Sequence, residues 1–162
     1  MAIAVGEFRV DHLLDGFKLM AANRNKKHEL NKKNSSFVHG DGWGIVSGKS
    51  GRLELYKKEV ACWNDPRFHH YYNVDMDFAI LHARRASSGS AKYSFTHPFE
   101  KNGWYFCQNG MINDFRSKGR SDSEQFFSII LDNLQQHGDA KEAIKKTVNQ
   151  VKKVHCSQFH SF

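Results

Sequence analysis

Four short segments hold the residue types that chemistry could use. They are His39-Gly40-Asp41-Gly42-Trp43-Gly44, then His82-Ala83-Arg84-Arg85-Ala86-Ser87-Ser88-Gly89 with Thr96-His97-Pro98-Phe99, then Gln108-Asn109-Gly110, and finally Ser121-Asp122-Ser123-Glu124. Singly, each has a plain reading. Glycines around a tryptophan serve backbone geometry and core packing. An arginine pair is a solvated patch, Asn-Gly is a turn, and Ser-x-x-Glu caps a helix. A guanidinium grips a carboxylate through two parallel hydrogen bonds, which lysine cannot reproduce.

Nucleophile and metal candidates are sparse. Cys62, Cys107 and Cys156 are odd in number, widely spaced and form no C-x-x-C pair. That pattern fits free thiols in a reducing compartment. Cys107 lies two residues before Asn109, so a regular strand would put both on one face. Without an adjoining N-terminal amine it reads as a buried core thiol. His69 and His70 adjoin each other with no cysteine or carboxylate at ligand spacing, so no metal and no cofactor are expected.

In this order and spacing the four segments resemble the glutaminase domain of the class-II glutamine amidotransferases, an N-terminal-nucleophile hydrolase family, and within it the stand-alone, γ-glutamyl-hydrolase-like subgroup. The resemblance runs from about residue 2 to about residue 131. It implies an α+β fold, an αββα four-layer sandwich with two antiparallel sheets. It implies hydrolysis of a side-chain amide, turning glutamine or a γ-glutamyl compound into glutamate plus ammonia or an amine. It also implies a further strand of the second sheet, so residues 1–162 are expected to form one domain that is incomplete at its C-terminus.

The resemblance assigns roles position by position. Asn109 and Gly110 match the oxyanion-hole pair, an amide N–H and a backbone N–H aimed at one developing negative oxygen. Arg84 matches the residue that holds the substrate carboxylate, with Ser87 adding a hydroxyl. Arg85 falls where some members carry tryptophan, and its role stays open. Asp122 matches the partner of the substrate ammonium, although a carboxylate in the first turn of a helix is favourable in any case. His97 shapes the pocket or is a hydrogen-bonded structural histidine. His39, Asp41 and Trp43 read as structural.

The family nucleophile is a cysteine made N-terminal by loss of the initiator Met, and its α-amine serves as base. An α-amine with an ordinary pKa of about 7.7–8.0 suits that task. This chain has Ala2 there. A methyl group forms no thioester, so the chain as written is expected to bind substrate without turning it over. A deliberate Cys→Ala replacement and a natural pseudo-enzyme both fit. Survival of the substrate-gripping positions favours the first. The rival function is a non-catalytic glutamine-binding or regulatory module. No synthase domain fits in 162 residues, so any ammonia acceptor is expected to be a separate protein or a missing portion.

Several elements must position these residues. Ile3–Phe8 reads as a strand, and Asp11–Ala22 as a helix capped by Asp11 with Leu13, Leu14, Phe17, Leu19 and Met20 at helical spacing. A polar loop spans residues 23–34. The glycine-rich turn enters a strand, residues 47–51 form a turn, and Arg52–Lys57 returns as a hairpin. Asp77–His82 and Gly103–Gln108 read as strands. Ser121 and Asp139 cap two helices. The first buries Phe127, Ile130, Leu131 and Leu134, and the second buries Ile144, Val148 and Val151. Cys156–Phe162 reads as the start of a strand.

Composition sets the class. Hydrophobic residues make up 40% and aromatics 13% of the chain, which supports a packed core rather than disorder. The net charge of +7 comes with no zinc-finger, helix-turn-helix or RNA-recognition signature, so it reads as solvated surface and nucleic acid is not an expected partner. No apolar run approaches a membrane span, and the start of the chain lacks a signal-peptide pattern. A soluble cytoplasmic protein is expected.

Overall fold

The computed structural model describes residues 1–24, 38–86, 92–110, 112 and 121–158, with backbone alone for 152–158. Ser87 and most of the polar loop at 23–34 lie outside the described residues. The chain forms two compact units, residues 1–108 and 109–162. It is α+β, with two antiparallel sheets of four and two strands among the described residues.

The first unit is built on β1 (Ala2–Val5), α1 (Val10–Ala21), β2 (Trp43–Lys49), β3 (Arg52–Lys58), α2 (Pro66–His70), β4 (Phe78–Ala83), β5 (Phe99–Lys101) and β6 (Trp104–Phe106). The larger sheet has the order β1-β4-β2-β3 and the smaller pairs β5 with β6. Two tight turns set the hairpins. Ser50-Gly51 and Asn102-Gly103 each have positive φ at both positions. Such two-residue loops match the right-handed twist of the flanking strands. The turn at 47–51 is therefore shorter than expected, because Ser47–Lys49 stays in β2. Likewise Gly103 belongs to a turn, and its strand begins at Trp104.

The core of this unit lies between α1, α2 and one face of the four-stranded sheet. Leu14, Phe17 and Ala21 meet Trp43, Ile45, Phe68, Tyr71, Ala79 and Leu81. Burying each large side chain contributes about 1.5–3 kcal/mol. Leu19 and Met20 share the helical spacing but point outward, 48% and 52% exposed. Ala21, four residues beyond Phe17, completes the seam instead. The helix start also differs from expectation. Arg9 occupies the cap position with no side-chain bond, and Asp11 sits in the first turn, paired with the Arg9 guanidinium. Gly6, with φ 84°, ends β1 at Val5, earlier than the apolar run through Phe8.

The second unit contains α3 (Asp122–His137) and α4 (Ala140–Gln158). The Ser121 hydroxyl accepts from the Glu124 N–H at 3.0 Å, and the Asp139 carboxylate accepts from the Glu142 N–H at 2.7 Å. Both expected caps are therefore formed. Gly138, left-handed at φ 71°, ends α3. The packed seam of α4 differs from the expected one. Ala143 and Thr147 are fully buried, while Ile144 is 48% exposed. A small residue and a hydroxyl face α3 because Asn133 donates to Thr147 Oγ1 at 2.9 Å and to Gln150 Oε1 at 3.0 Å. A polar bond sets this seam, and hydropathy could not reveal it. Cys156 and Ser157 belong to α4 rather than to a strand, since the helical ladder runs on to Gln158.

Candidate functional site

The glycine-rich segment is shaped by what lies over it. A Cβ on Gly44 would meet the His97 carbonyl, Lys57 Cβ at 2.8 Å and Pro98 Cδ at 2.9 Å. A Cβ on Gly42 would meet Thr96 Oγ1 at 2.7 Å. Real Cβ atoms do not pack that closely. Thr96-His97-Pro98 therefore forms a cover seated on the start of β2, and the glycines make room for it. The His97-Pro98 bond is cis. Thr96 is fully buried. Its hydroxyl donates to the Lys92 carbonyl at 3.0 Å, and its own carbonyl accepts from Lys57 Nζ at 3.1 Å.

The same segment holds Arg84. The Arg84 N–H donates to the Gly42 carbonyl at 2.8 Å, and the Asp41 N–H donates to the Arg84 carbonyl at 3.0 Å. The Asp41 carboxylate accepts from the Ala86 N–H at 2.8 Å, and His39 Nδ1 lies 3.2 Å from the Ala83 carbonyl. His39 and Asp41 thus brace the loop that leaves β4. The Arg84 guanidinium is half-buried, 5.7 Å from the centre of the Phe95 ring. Burial disfavours its charge and Asp41 supports it. A guanidinium stays protonated under such perturbation.

Beneath the cover, His82 and His97 pack ring to ring, with centroids 4.3 Å apart. They are 5% and 7% exposed. His82 Nδ1 and both ring nitrogens of His97 have no hydrogen-bond partner among the described residues. Burial pulls the His82 pKa down to about 3, and His97, the chain's amino terminus and His39 press in the same direction, against a backbone bond with Gln108. Burial, Lys57 and Arg84 bring His97 down to about 4. Both rings are neutral near pH 7.

Ala2 opens β1 opposite Leu81 and packs against the core beside α1. Leu81 and His82 are neighbours on β4, so their side chains point to opposite faces of the sheet. The methyl of Ala2 therefore lies on the α1 face. Burial lowers the pKa of the chain's α-amine, and Cys107 opposes that shift. Burial pushes the Cys107 thiol up to about 12, against the amine and Lys57.

The remaining site positions lie in the second unit. Gly110 has φ 104°, a conformation that a side chain resists. The Asp122 carboxylate accepts from the Ile112 N–H at 2.6 Å and the Ser123 N–H at 2.8 Å. It ties the segment after Gly110 to the first turn of α3. Arg84 and His97 belong to the first unit, and Asn109, Gly110 and Asp122 to the second.

One functional-looking residue was missed from the sequence. Asp65 is 2% exposed. It accepts from Trp43 Nε1 at 3.0 Å, Tyr56 OH at 2.8 Å and the Arg67 N–H at 3.0 Å. Burial alone would raise its pKa, but those bonds and Lys58 bring the carboxyl below its usual value. The only local signal was Asp-Pro, an N-cap followed by proline at N1. Nothing local named Trp43 or Tyr56 as its partners.

The family model of class-II glutamine amidotransferases matches residues 28–157, and the chain belongs to that family. The matched stretch contains Arg84, His97, Asn109, Gly110 and Asp122 and begins after Ala2. No curated protein sequence matches the chain. Membership supports chemistry at the amide of glutamine, by hydrolysis or transfer, in a family whose members are ordinarily enzymes. No helix among the described residues is long and apolar enough to cross a membrane.

Proposed function

We propose that the domain is of the glutaminase type, hydrolysing glutamine or a γ-glutamyl compound to glutamate plus ammonia or an amine, and that Ala2 leaves this chain without its nucleophile. Arg84 takes the substrate carboxylate, and the Ser87 hydroxyl adds a contact to it. Asp122 takes the ammonium, Asn109 and Gly110 take the amide oxygen, and His97 shapes the pocket. The observation that carries this reading is Arg84. The family match spans it, and Asp41 and Gly42 hold its backbone on both sides. Any ammonia acceptor is a separate protein or a further portion of the same chain.

With cysteine at the head of β1, the thiol attacks the amide carbon and the α-amine takes its proton. Ammonia leaves, and water then cleaves the thioester to glutamate. An α-amine with an ordinary pKa of about 7.7–8.0 is partly free base near neutral pH, as this step requires. The test is glutamate release by Ala2→Cys protein with its initiator Met removed, assayed with glutamine and γ-glutamyl peptides. Release is expected with at least one substrate. Saturable glutamine binding without release, even in that variant, would favour the second reading, a glutamine-binding regulatory module. Ala2 itself motivates that alternative.

A further inference from the structure

The unpartnered nitrogens of His82 and His97 call for explanation. Buried polar atoms without partners are rare in native structures, and each one costs stability. Among the described residues, the groups acting on the two rings come from five places in the first unit. They are the amino terminus ahead of β1, His39 before β2, Lys57 on β3, Arg84 after β4 and the Gln108 backbone after β6. Phe99 on β5 packs edge-on to His97, 4.5 Å between centroids. No carboxylate is among these groups. A proton on either ring would sit beside Lys57, Arg84 or the other imidazole, in a space closed to water.

We propose that the His82–His97 pair is an acid-operated latch on the Thr96–Pro98 cover. When neutral, the two rings pack together and seat the cover on Gly42 and Gly44. When protonated, they repel each other and the neighbouring cations, and the cover lifts. Lifting withdraws Phe95 from the Arg84 guanidinium and removes the Lys57 bond to the Thr96 carbonyl. The pair is thus a positioning element for Arg84, and only this last consequence rests on the function proposed above.

The sign follows from linkage. A histidine buried as the neutral base has a lower pKa in the closed state than when released, where it returns to about 6.5. The open state binds more protons between that value and the closed-state values of about 4 and 3. Opening is therefore suppressed above about pH 6.5 and favoured progressively below it. Each imidazole taking up a proton raises the opening equilibrium by about 10-fold per pH unit, and both together by about 100-fold.

The experiment uses the full chain, with two readouts that need no substrate. Imidazole resonances of His82 and His97 are titrated by NMR, and amide exchange of residues 92–99 is followed from pH 7.5 to 4.5 after correction for intrinsic rates. Expected are two rings neutral down to well below pH 6, and exchange at 92–99 that rises steeply in acid while the β2–β3 hairpin stays protected. His82→Gln and His97→Gln should each flatten that rise by about 10-fold per pH unit. Rings titrating near 6.5 with no opening, or an unchanged acid response in the double variant, would overturn the proposal. If the variants fail to fold, the ring titrations in the unaltered chain decide. Calorimetry with glutamine at pH 7.5 and 5 is expected to show binding lost in acid. Absence of binding at both values counts against the functional reading and leaves the exchange result to judge the latch.

Discussion

The indole N–H of Trp43 donates to the carboxylate of Asp65 at 3.0 Å, with both side chains closed off from solvent. This bond joins the start of β2 to the cap of α2. It places a charged group at the edge of the aromatic core, where Trp43 meets Phe68, Tyr56 and Tyr71.

Asp65→Asn should therefore destabilise the fold by roughly 2–4 kcal/mol, because an amide offers one acceptor oxygen to three donors. Urea denaturation at pH 7 measures it. The folded-state pKa of Asp65 is depressed, so its contribution is present above the unfolded value of about 3.9 and is lost as pH falls through the folded value. The gap between wild type and variant should narrow in strong acid. A variant within about 0.5 kcal/mol of wild type would contradict the role given to this carboxylate.

Two glycine substitutions should act with opposite sign. Gly44→Ala forces the cover away from β2 and should cost about 1–3 kcal/mol. Gly16 lies inside α1, and a Cβ added there would meet nothing within 4 Å. Gly16→Ala should stabilise by about 0.5–1 kcal/mol through helix propensity. Thermal melts of the two variants side by side decide both.

The Asn133–Thr147 bond predicts coupling between α3 and α4. A double-mutant cycle of Asn133→Ala and Thr147→Val should give a coupling energy of about 0.5–2 kcal/mol. Strict additivity would mean that the seam is held by the shape of Ala143 alone.

For the binding site, Arg84→Ala should weaken glutamine binding by roughly 10²-fold, since a charged pair is lost. Arg84→Lys should recover little of it, because an ammonium lacks the two-pronged geometry. Isothermal calorimetry, with a melt to confirm folding, reads the effect. Lysine restoring full affinity would exclude a bidentate grip.

Local rules carried much of this structure. Ser121 and Asp139 were legible as caps because a short side chain and the N–H three residues on lie within a single turn. The α+β class was legible from the order of apolar runs. Family membership was legible from the order of four motifs that are individually weak. Long-range matters were not. Asp65 needs Trp43 and Tyr56, residues that only the fold brings near it. Ile144 follows helical spacing yet faces outward, since Thr147 bonds Asn133 across the seam. Leu19 and Met20 have the same problem on α1. Cys156 looked like a strand start because Phe159 and Phe162 give the segment after it an aromatic character, but the helical ladder from Ala140 continues through it. The roles of His39 and Asp41 as braces could be named as structural, while their partners at Ala83 and Ala86 could not.

The close seating of the cover on β2 also has an evolutionary consequence. Any lineage that acquires a side chain at position 44 must remodel residues 96–98 at the same time, and one that loses the proline has slack to admit a bulkier neighbour. Positions 44, 97 and 98 should therefore change together or not at all among descendants, leaving a covariation signal between two stretches more than fifty residues apart.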